Sequence, residues 1–407
     1  MITGIEIGGH IMDIRLTEGV KLILDRLYEQ GYRADVVGGA VRDALIGRPS
    51  FDFDITTEAT PDEVKSVFAD CKIVDTGIKH GTVTLVLDGV GYEITTWRVD
   101  GDYHDSRHPD AVSFTRSLSE DLARRDFTVN AICYNERDGY TDIFGGVDDI
   151  RAKVIRAVGE PERRFREDAL RIMRAVRFSS QLGFSIEEHT ALAATKLRSL
   201  LLNVSDERIY VELKKLLSAD GAHEVLSSYP EIILTVLPEL DGLKLPDREL
   251  FISMDYKTRL LSLFLLNAKD ARERFSSAMQ RLKTDSAHRV YGESVLSHYK
   301  NADTGTRYGA LKLLSSVGPE VALGVAALGV LVGEKTKLDL EIIEDAIASG
   351  IPYTLSELKV GGNDIAALGL RGPEIGKALL SLLDAVMSGE CVNERDALLG
   401  LCQKDFH

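Results

Sequence analysis

The apolar residues of this chain change their spacing once, near Lys153. Before that point, short runs with strand character are separated by glycines and turn residues; after it, apolar positions recur at helical intervals to the end. The expected fold class is therefore α+β: a first section with a mainly antiparallel sheet, then a long all-α remainder. An amphipathic helix is expected from Thr17 to Gln30, where Val20, Ile23, Leu24 and Leu27 share a face and Gly31 closes the segment. Strands are expected at Asp35–Val37, Phe51–Ile55 and Ile73–Asp75, with Pro61 opening a helix between the last two. Thr82–Leu87 and Tyr92–Trp97 alternate around Gly89 and Gly91, the pattern of a hairpin. Beyond Lys153, Ala169, Ile172, Met173 and Val176 form one apolar stripe, and Ile209, Leu213, Leu216 and Leu217 another.

A chain of 407 residues, 44% of them hydrophobic, can bury more than one core. Composition shifts suggest four parts: 1–150, 151–220, 221–350 and 351–407. No stretch approaches the length of an apolar membrane span, and the start lacks the basic and apolar regions of a secretory leader. Cys71, Cys133, Cys391 and Cys402 have neither zinc-site nor disulfide-framework spacing, which fits a reducing cytoplasm. Met12 offers an alternative start to Met1. A net charge of −15 argues at first against an RNA partner, yet fourteen arginines fall between Arg98 and Arg177 among a similar number of acids. That segment suits either a local basic face or a salt-bridged solvated surface.

The stretch from Val36 to Thr57 reads V-V-G-G-A-V-R-D-A-L-I-G-R-P-S-F-D-F-D-I-T-T. Gly38 and Gly39 follow a strand and open a helix, so backbone can approach a phosphate closely there; most Gly-Gly turns are only turns. Asp52 and Asp54, two apart on an expected strand, project from one face. Such a pair suits two bridged Mg²⁺ ions in phosphoryl transfer, one activating a hydroxyl and the other holding a triphosphate. A lone D-x-D also suits an aspartate pair capping a turn or facing water.

Taken together, Gly38, Gly39, Arg42, Asp43, Asp52 and Asp54 resemble motif A of the class II nucleotidyltransferases, which include CCA-adding enzymes and bacterial poly(A) polymerases and share a head with the polymerase β superfamily. The resemblance implies a nucleotidyltransferase head at 1–150, then helical neck, body and tail. It implies metal binding by Asp52 and Asp54, nucleotide contacts from Gly38, Gly39 and Arg42, and a third carboxylate on a neighbouring strand. Glu93, in Y-E-I-T-T-W-R, is the candidate, with a solvent-facing hairpin glutamate as the alternative. Arg124–Ala131, R-R-D-F-T-V-N-A, resembles motif B and implies nucleotide contacts from Arg124, Arg125, Asp126 and Asn130. Asp142–Asp148 resembles motif C, with Ile143 in the usual place of proline and a plain turn as the alternative. Asp102–Pro109 resembles the flexible loop of enzymes that add the terminal A, with Asp105 and Arg107 as its functional pair and His108 where a second arginine is common.

Glu167–Arg174, E-D-A-L-R-I-M-R, resembles motif D, which selects the base. On one helix, Asp168 and Arg171 would share a face, Arg174 following one turn later. Cytosine and adenine each set an exocyclic amine beside a ring nitrogen; the aspartate accepts from the first and the arginine donates to the second. Uracil and guanine reverse that order and leave like groups facing each other. An i,i+3 salt bridge is the plain alternative. Ser205–Leu213 ends the main resemblance, and Leu358–Leu399 resembles a tRNA-binding tail, with Ile365, Leu368, Ile375, Leu379 and Leu382 as packing residues and two capped structural helices as the alternative.

The family implies template-independent addition of C, C and A to tRNA from CTP and ATP with Mg²⁺ in the cytoplasm, with no membrane partner; protein partners are not indicated. Poly(A) polymerase, partial CC or A addition, and a catalytically silent RNA-binding protein are the alternatives.

Overall fold

The computed structural model describes residues 5–7, 10–12, 14–50, 52–100 and 112–406. Asp105 and Arg107, with the rest of 101–111, lie outside the described residues, as does Phe51. The chain divides into two compact units, Met1–Leu237 and Pro238–His407.

The first unit opens with a two-stranded pair, β1 (Ile5–Ile7) and β2 (His10–Met12), followed by α1 (Glu18–Glu29). The Thr17 hydroxyl caps α1 by accepting from the Val20 amide, and Val20, Ile23, Leu24 and Leu27 are buried as their spacing requires. Next come β3 (Ala34–Val37), α2 (Gly39–Leu45), β4 (Asp54–Thr57), α3 (Pro61–Val67), β5 (Lys72–Gly77), β6 (Thr82–Leu87) and β7 (Val90–Thr96). Asp88 and Gly89, both at positive φ, make the two-residue turn between β6 and β7; Gly91, expected near the turn, lies inside β7. The short strands β8 (Arg98–Asp100) and β9 (Val112–Phe114) pair antiparallel, and α4 (Leu118–Ala123) leads through a 3₁₀ turn at Thr128–Asn130 into β10 (Ile132–Asn135) and β11 (Gly139–Asp142).

Seven strands form one sheet in the order β11-β10-β3-β4-β7-β6-β5. All its neighbours are antiparallel except β4 and β7, which run parallel with Ile55 opposite Ile94. Val37, Trp97, Leu118, Leu122, Ala131, Cys133 and Val158 form a core beneath the ends of β3 and β10.

Helices then take over, with a short parallel pair of β12 (Val154–Ile155) and β13 (Ser185–Ile186) between them. They are α5 (Gly146–Ala152), α6 (Pro161–Glu167), α7 (Leu170–Leu182), α8 (Glu188–Lys196), α9 (Asp206–Leu217), α10 (Ala222–Ser228) and α11 (Pro230–Val236). The two expected apolar stripes are the buried faces of α7 and α9, which pack together. Between them Arg177 Nε donates to Glu212 Oε2 at 2.7 Å, both side chains being buried. Losing either partner of such a pair strands the other charge.

The second unit is helical throughout its described residues: α12 (Arg248–Ser253), α13 (Tyr256–Asn267), α14 (Ala271–Arg281), α15 (Ser286–His298), α16 (Arg307–Val317), α17 (Pro319–Leu331), α18 (Lys337–Ala348), α19 (Gly362–Ala367), α20 (Pro373–Ser388) and α21 (Arg395–Phe406). Of the expected packing residues in this tail, Ile365 and Leu382 are buried, while Leu368, Ile375 and Leu379 are half-buried.

Gly146 opens α5 where a Cβ would stand 2.2 Å from the Thr128 carbonyl oxygen and 2.8 Å from Ile132 Cγ1. Gly146→Ala is expected to destabilise the first unit by about 1–3 kcal/mol through overpacking, lowering its urea midpoint. Gly400→Ala in α21, where nothing stands within 4 Å of the added carbon, is the control and should hold or raise stability.

Candidate functional site

At the end of β3 the backbone turns through Gly38, whose φ of 79° and ψ of −130° suit glycine alone. A Cβ there would point toward Arg125 Nη1 at 3.5 Å and Asp54 Oδ2 at 3.9 Å, so the missing side chain leaves an approach to both groups. Gly39 begins α2, and Arg42 on its next turn is nearly buried. Arg42 Nε donates to Asp43 Oδ1 at 2.9 Å and its Nη1 to Asn130 Oδ1 at 2.6 Å. Asn130 in turn donates to Asp126 Oδ1 at 3.3 Å. Asp126 Oδ2 receives Arg174 Nε at 2.7 Å, and the guanidinium groups of Arg42, Arg174 and Arg177 lie 5.1, 5.2 and 3.6 Å from the ring centre of Phe178. One polar chain thus links α2, the 3₁₀ turn before β10 and α7.

Burial opposes ionisation of Asp126, but the charges of Arg174 and Arg171, with hydrogen bonds from Arg174 and the Phe127 amide, bring its carboxyl down to about 2.

Asp52 and Asp54 share a face as expected, because Phe53 between them is buried while both aspartates are exposed. The paired strand, however, begins only at Asp54; Asp52 lies before it, outside any strand. The parallel register of β4 and β7 sets Asp54 beside Glu93. Surrounding protein raises the Asp54 carboxyl above its ordinary range, Arg125 draws it back, and the charges of Asp52 and Glu93 push it further up. Among the described residues, no group donates a hydrogen bond to Asp52, Asp54 or Glu93, and none of the three has an ion pair. Nearby carboxylates differ: Asp121 is held by Arg124 and Arg125, Asp126 by Arg174, and Asp168 by Arg208. The uncompensated charge beside the Gly38 opening suits a hard divalent cation. No three His, Cys, Asp or Glu side chains among the described residues enclose a metal by themselves. One or two carboxylates, oxygens of a bound phosphate and several waters make up the usual donor set of Mg²⁺-like ions.

The expectation of one helix over Glu167–Arg174 is corrected. The segment is broken: α6 ends at Glu167, Asp168 is extended at φ −139° and ψ 104°, and α7 starts at Leu170. Asp168 Oδ1 accepts from the Leu170 amide at 3.1 Å, the local competition by which an aspartate displaces helix. Its Oδ2 accepts from Arg208 Nη2 at 2.9 Å. Arg171 is nearly buried; Nη1 donates to Glu167 Oε2 at 2.9 Å and to the Arg164 carbonyl at 3.2 Å, and Nη2 to the Arg124 carbonyl at 2.7 Å. Phe178 and Arg208 are not among the residues expected from the sequence, and Glu167, expected only as the start of motif D, holds Arg171. The Arg171–Glu167 pair at i,i+4 was legible as a charge pattern, whereas Arg208 lies forty positions from Asp168 with no local signal.

Two family models match: the Poly A polymerase head domain over residues 34–156, and the probable RNA and SrmB-binding site of polymerase A over 183–241. A CCA-adding enzyme of Geobacillus thermodenitrificans is 39% identical over 395 residues, covering 92% of this chain and 94% of the relative. The chain belongs to the family of CCA-adding enzymes. Another member, from Lactobacillus delbrueckii subsp. bulgaricus, is 36% identical over 396 residues, with 95% and 98% of the two chains covered. Among solved structures, the Bacillus stearothermophilus CCA-adding enzyme in complex with CTP superposes with a TM-score of 0.69 at 32% identity, covering 95% of this chain and 96% of that one. The Thermotoga maritima CCA-adding enzyme complexed with tRNA shares the fold, with a TM-score of 0.70 at 20% identity over 97% of each chain.

The Asp126 carboxyl, near 2 when folded against an ordinary 3.8, contributes stability present above pH 4 and lost as pH falls through 4 toward 2. That contribution is about 2 kcal/mol. Asp126→Asn should therefore be less stable than wild type at pH 7, with the gap narrowing between pH 4 and pH 2 in urea titrations. Parallel acid profiles for the two proteins would refute the assignment.

Proposed function

We propose that this protein adds C, C and A to the 3′ end of tRNA from CTP and ATP, with Asp52 and Asp54 holding Mg²⁺ at the reacting phosphate. The observation that carries this reading is the unpaired acidic group beside the Gly38 opening, in a chain whose relatives are named CCA-adding enzymes along nearly its whole length. In the reaction the RNA 3′ hydroxyl loses its proton to solvent as its oxygen bonds to the α-phosphorus of the nucleotide, the bond to the β-phosphate bridge breaks, and pyrophosphate leaves. Mg²⁺, when bound, supplies Lewis acidity toward the attacking hydroxyl and the leaving phosphates.

The chain's own residues do the rest. Gly38 lets the triphosphate approach without a side chain in the way, and Arg125, beside that opening, meets its charge. Glu93 adds negative potential next to Asp54 and favours cation binding. Arg42, Asn130, Asp126 and Arg174 form a connected frame along the nucleotide.

For base choice, Asp168 has two of its acceptor sites occupied and two left, enough for the exocyclic amine of cytosine or adenine. Arg171 uses three of five donors, leaving Nε–H and one Nη2–H for the ring nitrogen. The neck, body and tail are read as 151–220, 221–350 and 351–407, the tail binding tRNA. Asp105 and Arg107 keep their proposed role in adding the terminal A. Among the described residues no helix is long and apolar enough to cross a membrane, and the four cysteines are free. These facts and the tRNA substrate support work in the cytoplasm.

Incubation with tRNA ending at the discriminator base, with CTP, ATP or both, tests the function directly: stepwise products ending in CCA support it, and a long A tail would favour poly(A) polymerase. Asp52→Asn and Asp54→Asn should each cut incorporation by about three decades or more at unchanged fold. Substantial activity in either would remove that residue from the centre. Asp168→Ala and Arg171→Ala should raise UTP incorporation relative to CTP by about tenfold, through loss of the base-edge pairing. Equal slowing of all four nucleotides would make the pair structural.

A further inference from the structure

Asp121, on α4, is fully buried with both carboxylate oxygens engaged. Oδ1 accepts from Arg124 Nε at 2.9 Å, Arg124 Nη2 at 2.7 Å and the Arg98 amide at 3.4 Å. Oδ2 accepts from Arg125 Nη2 at 3.4 Å and from the hydroxyl of Thr56 at 3.3 Å. Thr56 is itself fully buried, two positions after Asp54 on β4. Three pieces of the fold therefore converge on one carboxylate: the strand that carries Asp54, the arginine pair and the first residue of β8. One acid facing two guanidiniums leaves a net positive charge. Arg125 carries part of it toward the Gly38 opening, where its Nη1 stands 3.5 Å from the place a Gly38 Cβ would occupy. Among the described residues the buried Nε of Arg125 has no hydrogen-bond partner, so the guanidinium is held from its Nη2 side.

We infer that Asp121 is a positioning residue for the incoming nucleotide: it fixes the Arg124 and Arg125 guanidiniums against the strand bearing Asp54, so that the triphosphate meets the arginines and the acidic group at one set distance. This rests on the reading of Arg125 as the group that meets the triphosphate and of Arg124 as a nucleotide contact beside it. Burial opposes the charge of Asp121, but the two arginines and the Arg98 amide outweigh it and hold the carboxyl below its ordinary range, so the anchor is an anion. Asp168 and Arg171 make no hydrogen bond to Asp121 itself, and Arg171 reaches only the backbone carbonyl of Arg124, not the guanidinium that Asp121 holds, so loss of the Asp121 charge acts on the arginine side chains rather than on base choice.

The test is steady-state kinetics of the full chain with tRNA. Asp121→Asn keeps the volume and removes the charge; it should raise KM for CTP and for ATP alike by about tenfold, the loss expected of a charge-assisted hydrogen bond. The tRNA dissociation constant and the preference for CTP over UTP should stay at wild-type values. Introduced into an Arg124→Gln, Arg125→Gln background, it should add no further rise, because its effect runs through those side chains. A wild-type KM in Asp121→Asn, or a full additional rise in the double-arginine background, would overturn the inference while leaving the functional reading in place. A wild-type KM in the double-arginine protein would bring down the triphosphate reading and this inference with it. Thr56→Val, which removes only the hydroxyl donor to Oδ2, covers the case in which Asp121→Asn does not fold. It should raise both KM values together by about twofold to threefold, as loss of one neutral hydrogen bond predicts, and no change would count against the inference.

Discussion

The ion pair between Asp126 and Arg174 joins the sheet to the helices that follow it. Asp126 follows the arginine pair at the end of α4, and Arg174 stands in the middle of α7, so this contact sets where the helical part of the first unit meets the strand ends. Its surroundings make it directional. Asn130 and Arg42 extend it into α2, and Phe178 stacks beneath three guanidiniums that would otherwise repel one another in a poorly hydrated place. A network of this kind is stable only when every member is satisfied, and each deletion exposes a buried charge.

Charge accounting around that frame explains why a chain of net charge −15 can handle triphosphates and RNA. Most arginines in the motif-bearing stretch are matched to a carboxylate at short range, so the average charge says little about any one surface. What matters is the remainder. Among the described residues Asp52, Asp54 and Glu93 form no ion pair, Arg125 acting on Asp54 only from a distance, and the arginine pair on Asp121 carries one positive charge beyond its acid. These opposite remainders meet at Gly38, where the backbone leaves room.

Much of this was legible before any coordinates. Periodicity placed α1 and the buried faces of α7 and α9, because the core enforces a 3.6-residue repeat on helices that pack against it. Alternation gave the shared face of Asp52 and Asp54 even though the paired strand begins later than expected. The helix over Glu167–Arg174 was misread because Asp168 spends its side chain on the Leu170 amide, a local bond that a period count does not see. Arg208, Phe178 and Asp121 act through contacts made by tertiary packing. Of these only Arg208 left no local trace: Asp121 lies three and four positions before the arginines it holds, and Phe178 four positions after Arg174 on the same helix.

The single parallel pairing in the sheet, β4 with β7, has a consequence in time. A parallel neighbour cannot be reached by a tight turn, and here the connection from Thr57 to Val90 must lay down α3, β5 and β6 before β7 can dock beside β4. Long-range closure of this sort is slow relative to helix formation. Asp54 stands on one of these strands and Glu93 on the other, so the acidic group is complete only once β7 has docked beside β4. Assembly of the acidic group is thus a late event of folding, coupled to completion of the sheet rather than to the local sequence that supplies its first two members.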